Sequence, residues 1–311
     1  MLDCQHKKEM EEKLMFYFLA ILCGAILAVM IQWNGDLSAQ VGAYHAALYI
    51  HIVGAVFAAF VLCTRTRKGN MQRTSLWMYL GGAIGVLTTL FNNFAFSRIS
   101  LTSIVALGLF AQLVFSYFID TFGWFGMERR REKLSICGTL LSVAGIALML
   151  ENPAAGGWGS VLISLGAGIT VVLSRIVNAH LSQRIGALQG SLVNHLVGLP
   201  FCLLLAIGVG VNESSAAVPF MAGDFRLWIW CGGMLGVTTV AMTNVIVPKI
   251  PAYQLSLFLF CGQLFCGMLL DVFGGGALNK REFGAGILVA AGIAVSQVSK
   301  ICRERKEKEE I

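Results

Sequence analysis

The sequence predicts an all-α integral membrane protein with ten transmembrane helices arranged as two inverted five-helix repeats. Three observations carry that expectation. Hydrophobic residues make up 57% of the 311-residue chain and charged residues 13%, with a mean hydropathy of +0.74, too apolar a balance for a water-exposed globular surface. The charges gather in short runs, such as Arg65 to Lys68, Arg129 to Arg131 and Arg303 to Glu310, with long uncharged stretches between them. The second half of the chain also repeats the first.

A helix needs about 20 apolar residues to cross roughly 30 Å of hydrocarbon, and fewer suffice where neighbours shield its ends. The first span, 14–33, follows Lys13; it is too long for a signal-peptide core and no small-residue cleavage pattern follows it. The second, 43–63, stops at the basic run beginning at Arg65, and the third and fourth occupy 76–96 and 100–120. The fifth, 134–150, begins after Arg129 to Lys133 and ends at a short linker, 151–157. Spans at 158–177, 188–211, 227–247, 252–271 and 283–299 complete the second half, and Pro200 bends the seventh span of the chain, 188–211, next to His195. The segments lack the alternation of barrel strands, so a helical bundle is the class that satisfies the backbone in lipid. The organisation expected is a cytoplasmic segment 1–13, repeats at 14–150 and 158–299 joined by an external linker 151–157, and a charged cytoplasmic tail 300–311.

Orientation follows from Lys and Arg, which collect on the cytoplasmic side. With the N-terminus inside, 19 of the 23 fall inside, Arg175 and Arg184 among them; only Arg98, Arg226, Lys280 and Arg281 fall outside. Both termini are expected in the cytoplasm. The basic residues flank apolar segments and are not interleaved with exposed aromatics, so they fit a membrane surface and not nucleic acid. The nine Cys fall mostly within apolar segments and are expected as small buried hydrophobes.

The repeat is detailed. Shifted by 144, Asn34, Leu37, Ser38, Gly42, His51 and Gly54 meet Asn178, Leu181, Ser182, Gly186, His195 and Gly198. Shifted by 151, Trp77, Gly81, Gly82, Gly85, Asn93, Gln112 and Asp120 meet Trp228, Gly232, Gly233, Gly236, Asn244, Gln263 and Asp271. Five spans per half is an odd number, so the second half enters the membrane upside down. Exchanging the conformations of two such halves converts an outward-open state into an inward-open one, which suits alternating access. A pseudo-symmetric bundle without transport activity, a membrane scaffold or assembly partner, is the alternative.

Polar residues within lipid are costly, so each needs an account. His51 and His195 hold equivalent places on the second and seventh spans, suited either to proton relay and solute binding or to hydrogen bonding that joins helices. Gln112 and Gln263 lie near mid-membrane, where an amide offers donors and acceptors to a solute without the cost of a charge. Asn93 and Asn244 are candidate solute contacts whose default role is bridging helices. Asp120 and Asp271, each eight residues after its Gln and near a helix end, suit gating or structural pairing. No P-loop, metal-ligand spacing or nucleophile motif occurs, so no cofactor, no metal and no enzymatic activity are expected.

The repeated Asn and Ser after each first span, Gly-Ala followed by an apolar span with Val-Gly, Trp with Gly-Gly-x-x-Gly, and Gln-x7-Asp-x-Phe-Gly resemble the YdcZ-like branch of the drug/metabolite transporter superfamily, over about 14–299. Single-unit members of that branch have five helices, so this chain resembles a fused pair. The resemblance implies an exporter of small molecules in the bacterial inner membrane, with membrane lipid as its surroundings and a proton or another ion as candidate coupling partner. A monomer would suffice for such a carrier, and a dimer is compatible with it. The first span, Leu14 to Trp33, has no membrane-embedded Glu, which argues against proton/cation antiport of the small multidrug type.

Overall fold

The computed structural model describes residues 2–64, 72–96, 98–99, 101–126, 136–149, 157–209, 226–273 and 280–309. The chain is all-helical within them: α1 (Leu2–Val41), α2 (Ala43–Cys63), α3 (Leu80–Phe96), α4 (Leu101–Phe122), α5 (Ile136–Met149), α6 (Trp158–Ile185), α7 (Ala187–Gly208), α8 (Gly232–Ile246), α9 (Ala252–Phe273) and α10 (Lys280–Glu309). Short 3-10 turns at Leu76–Tyr79 and Leu227–Cys231 lead into α3 and α8. Among the described residues, seven stretches are long and apolar enough to cross a membrane, on α1, α2, α4, α6, α7, α9 and the segment Leu227–Ile246. α5 and α10 carry shorter apolar stretches, Ile136–Leu148 and Phe283–Ser296. Large apolar side chains such as Phe18, Val56, Phe60, Leu162 and Leu204 stand exposed on the outside of the bundle. Water would not tolerate that surface, whereas lipid matches it.

Two helices run on past the ends expected from hydropathy. α1 continues from Trp33 through Asn34, Asp36, Ser38 and Gln40 to Val41, and α6 continues from 177 to Ile185. Packing sustains these polar turns. Leu37 and Val41 join a core cluster with Ala46, Ile50 and Ile229, and the equivalent Leu181 and Ile185 join one with Met78. A single glycine then turns the chain into the next helix: Gly42 at φ 84° and Gly186 at φ 104°, with the Gly42 N–H donating to the Ser38 carbonyl and that of Gly186 to the Ser182 carbonyl. Only glycine adopts that backbone without strain, so both α1–α2 and α6–α7 turn without a loop.

The contacts come in matched pairs across the repeat. α1 packs on α9 and α8, and its counterpart α6 packs on α4 and α3; α2 crosses α7, and α5 lies along α10. The largest core cluster lies among α4, α5, α9 and α10, around Leu109, Leu113, Ile146, Leu257, Phe260 and Val289. At one end of the bundle, Lys249 pairs with Glu12 at 3.0 Å. The Gln72 N–H donates to the Arg184 carbonyl at 3.2 Å, tying the segment that precedes α3 to the end of α6.

The extension of α6 corrects one expectation. Arg175, counted above with the cytoplasmic residues, stands ten residues before Ile185, about 15 Å inside the helix at 1.5 Å per residue. The basic runs at 65–68 and 129–133 and the linker residues 151–156 lie outside the described residues.

Candidate functional site

Eight of the described helices line a cavity of about 160 Å³, with residues from both halves of the chain. Among the described residues, none of α5 or α10 lies on its wall. His51, His195, Gln112 and Gln263 all line it, so four of the expected site residues converge on one space.

The histidines meet where α2 crosses α7. Their ring centroids are 5.5 Å apart, and each ring lies over a glycine of the opposite helix, His195 over Gly54 and His51 over Gly198. A Cβ on either glycine would collide with the ring, so this crossing depends on the absence of a side chain. Each Nδ1 lies 2.9 Å from the carbonyl four residues earlier in its own helix, Ala47 for His51 and Ser191 for His195. A carbonyl only accepts, so Nδ1 carries a hydrogen, and when the ring is neutral Nε2 is its acceptor.

Gln112 and Gln263 differ in their partners. Arg175 Nη1 donates to Gln112 Oε1 at 2.8 Å, linking α6 to α4 at the cavity wall. Gln263 has no hydrogen-bond partner among the described residues. A polar seam continues from Arg175 along α6: Ser174 donates to the Gly81 carbonyl at 2.9 Å, and Asn178 donates to Ser174 Oγ at 3.1 Å and to Asn194 Oδ1 at 2.8 Å. Thr88 donates to Thr170 Oγ1 at 2.8 Å. The wall therefore offers amide, hydroxyl, imidazole and guanidinium groups against an otherwise apolar lining.

Asn93 and Asn244 lie off the cavity wall. Asn93 Nδ2 donates to the Ala43 carbonyl at 3.2 Å and Asn244 Nδ2 to the Ala187 carbonyl at 3.1 Å, clasping α3 to α2 and α8 to α7 in the same way. Asp120 accepts a hydrogen bond of 3.0 Å from the backbone N–H of Tyr253, so a carboxylate sits at the exposed amides that begin α9. The side chain of Asp271 lies outside the described residues.

Sequence reasoning missed Arg175 as a site residue because positive residues were counted as markers of the cytoplasmic side. Its local context held the signal. Val171, Val172 and Leu173 precede it and Ile176 and Val177 follow it, and a cation within such a run belongs to a helix interior.

Two stretches of the chain, 15–148 and 160–298, match the family described as "Putative inner membrane exporter, YdcZ". The two matches correspond to the two repeats. No curated protein matches the chain. A crystal structure of a protein 17% identical superimposes with a TM-score of 0.67, covering 93% of this chain and 98% of the other, which bears on the fold alone. The family places the chain among multi-pass membrane exporters, whose partners are a small-molecule substrate and the surrounding lipid. With matches spanning both repeats, the chain belongs to the YdcZ family of inner-membrane exporters, in a tandem form.

Proposed function

We propose that the chain is a secondary transporter that exports a small organic solute across the bacterial inner membrane by alternating access. The cavity carries this reading: residues from both halves line it, and it gathers the equivalent pairs His51 with His195 and Gln112 with Gln263. In this reading ten helices cross the membrane as two inverted units, 14–150 and 158–299, with an external linker at 151–157 and a cytoplasmic segment at each end. The matched packing of α1 and α6 with their partners supports it, since two units related by a pseudo-twofold axis can exchange conformations at similar energy. A proton or another ion supplies the driving force, and the paired imidazoles are the groups suited to relay a proton. Replacing His51 or His195 with Gln should flatten the pH dependence of flux if they do so; unchanged profiles in both variants would leave them as helix contacts.

The test is reconstitution. The purified protein is screened for thermal stabilisation by metabolites and drug-like solutes, and each stabilising solute is then followed into liposomes. Gln112→Leu and Gln263→Leu should each weaken the response to such a solute severalfold, the loss of one hydrogen bond of about 0.5–1.5 kcal/mol, and the double variant should be nearly inactive. Wild-type affinity in a well-folded double variant would remove the Gln pair from the path, and absence of flux for every stabilising solute would overturn the transport reading.

A further inference from the structure

We infer that the cavity selects anionic solutes, organic carboxylates or phosphates, and that Arg175 holds the anionic head. The inference rests on the reading of this cavity as the solute path. Arg175 lies on the wall, and among the described residues no Asp or Glu lines the cavity. Among the described residues, the guanidinium's sole hydrogen-bond partner is Gln112 Oε1, a neutral amide that cancels no charge. A guanidinium presents five N–H donors in a planar fork, and it stays ionised in proteins. One donor reaches Gln112 and the others remain for a solute. Ile31, Ile104 and Val171 contribute apolar surface to the same cavity, where a charge is screened less than in bulk water. A cation entering this space is repelled, whereas a carboxylate or phosphate gains charge-assisted, two-pronged hydrogen bonds.

The site is asymmetric across the repeat. Several contacts that hold the helices together come in twos: Asn93 with Asn244, His51 with His195, Gly54 with Gly198. Arg175 has no twin. Under the shift of 144 its counterpart is Ile31, which also lines the cavity, and Gln263, the counterpart of Gln112, is left without a partner. One amide steadies the guanidinium, and Gln263 is free to meet the remainder of the solute. Asn194, whose Oδ1 already accepts from Asn178, keeps its amide hydrogens for the same space.

The experiment compares charge at constant shape. Melting of the purified full-length protein is followed against lactate, succinate and glycerol 3-phosphate, against their uncharged analogues lactamide, succinamide and glycerol, and against choline, with sodium chloride as the ionic-strength control. At least one of the three anions should stabilise the protein saturably while its uncharged analogue and choline do not. Arg175→Gln should then weaken that anion's midpoint tenfold or more, and Arg175→Lys, which keeps a charge but loses the fork, should weaken it less. No response to any of the anions, equal midpoints for lactate and lactamide, or a wild-type anion midpoint in Arg175→Gln overturns the inference. If Arg175→Gln does not fold, the wild type's discrimination between each anion and its uncharged analogue decides. Flux into liposomes distinguishes the two readings. Uptake of choline or glycerol without preference for anions overturns the anion site and leaves transport standing, whereas anion-selective stabilisation without flux supports the site and removes transport.

Discussion

Asn93 and Asn244 each donate an amide hydrogen to the carbonyl of the first residue of the neighbouring helix, α2 or α7. Neither lies on the cavity wall. Removing such a bond in the interior costs about 0.5–1.5 kcal/mol, and comparable interhelical bonds in membrane proteins average about 0.6 kcal/mol. Asn93→Leu and Asn244→Leu should therefore lower the melting temperature of the detergent-solubilised protein while leaving the midpoint for any stabilising solute unchanged. A shifted midpoint with unaltered melting would instead place these amides at the solute. The opposite pattern belongs to Gln112 and Gln263. Of the site, the two histidines and two glutamines were legible because a duplicated polar residue within an apolar run announces itself twice. Arg175 was not, since it has no duplicate and a positive residue near a predicted helix end counts equally well as a marker of the cytoplasmic side. What separates the two cases is the helix boundary, and that is decided by tertiary packing around Leu181 and Ile185.

Helix ends were the least legible part of the fold for the same reason. Hydropathy places the first and sixth helices at 14–33 and 158–177, yet Asn34, Asp36, Ser38 and Gln40, with their counterparts, continue the helix because buried leucines sit between them. The paired glycines, by contrast, stand out in the sequence as matched positions of the repeat, and the structure shows what they approach. A Cβ at Gly82 of α3 would collide with the backbone carbonyl of Asn194 on α7, and one at Gly233 of α8 with that of Ile50 on α2. Backbone cannot swing aside as a flexible side chain can, so the helices must separate. Gly82→Ala and Gly233→Ala should each destabilise the bundle by about 1–3 kcal/mol, the usual cost of overpacking. Thermal unfolding checks this, with Gly159→Ala, where a Cβ meets nothing nearby, as the control expected to leave stability within about 0.5 kcal/mol. Equal melting of all three would mean that α3–α7 and α8–α2 have room to spare.

At the scale of the whole molecule the open quantity is orientation, and the structure alters the arithmetic behind it. With Arg175 inside the bundle, 18 Lys and Arg remain for the cytoplasmic side against the same four outside, a bias still strong enough to choose the direction of insertion. The packing agrees with the grouping. Lys249 and Glu12 meet across the loop before α9 and the early part of α1, and Gln72 bonds to Arg184 at the end of α6, so residues assigned to one side by charge lie together in space. Asp120, expected at the inner end of α4, caps the start of α9 next to that same loop. Among the described residues seven stretches qualify as spans by length and composition alone; the described parts of α3, α5 and α10 do not reach that measure, and neighbouring helices pack along them. If they do cross, each half contributes five passages and the chain's two ends share one side. Reporter fusions after Ile311 and within 65–73 should then give cytoplasmic activity, and a fusion within 151–157 should give external activity. Charge reversal of Arg129, Arg130 and Arg131 to Glu should weaken that preference and yield mixed reporters, because it removes three of the 18 inner charges at one loop. A cytoplasmic signal at 151–157 in the unaltered protein would mean an even number of passages in the first half. The two repeats would then share one orientation, and the exchange of conformations on which alternating access depends here would have no inverted partner to act through.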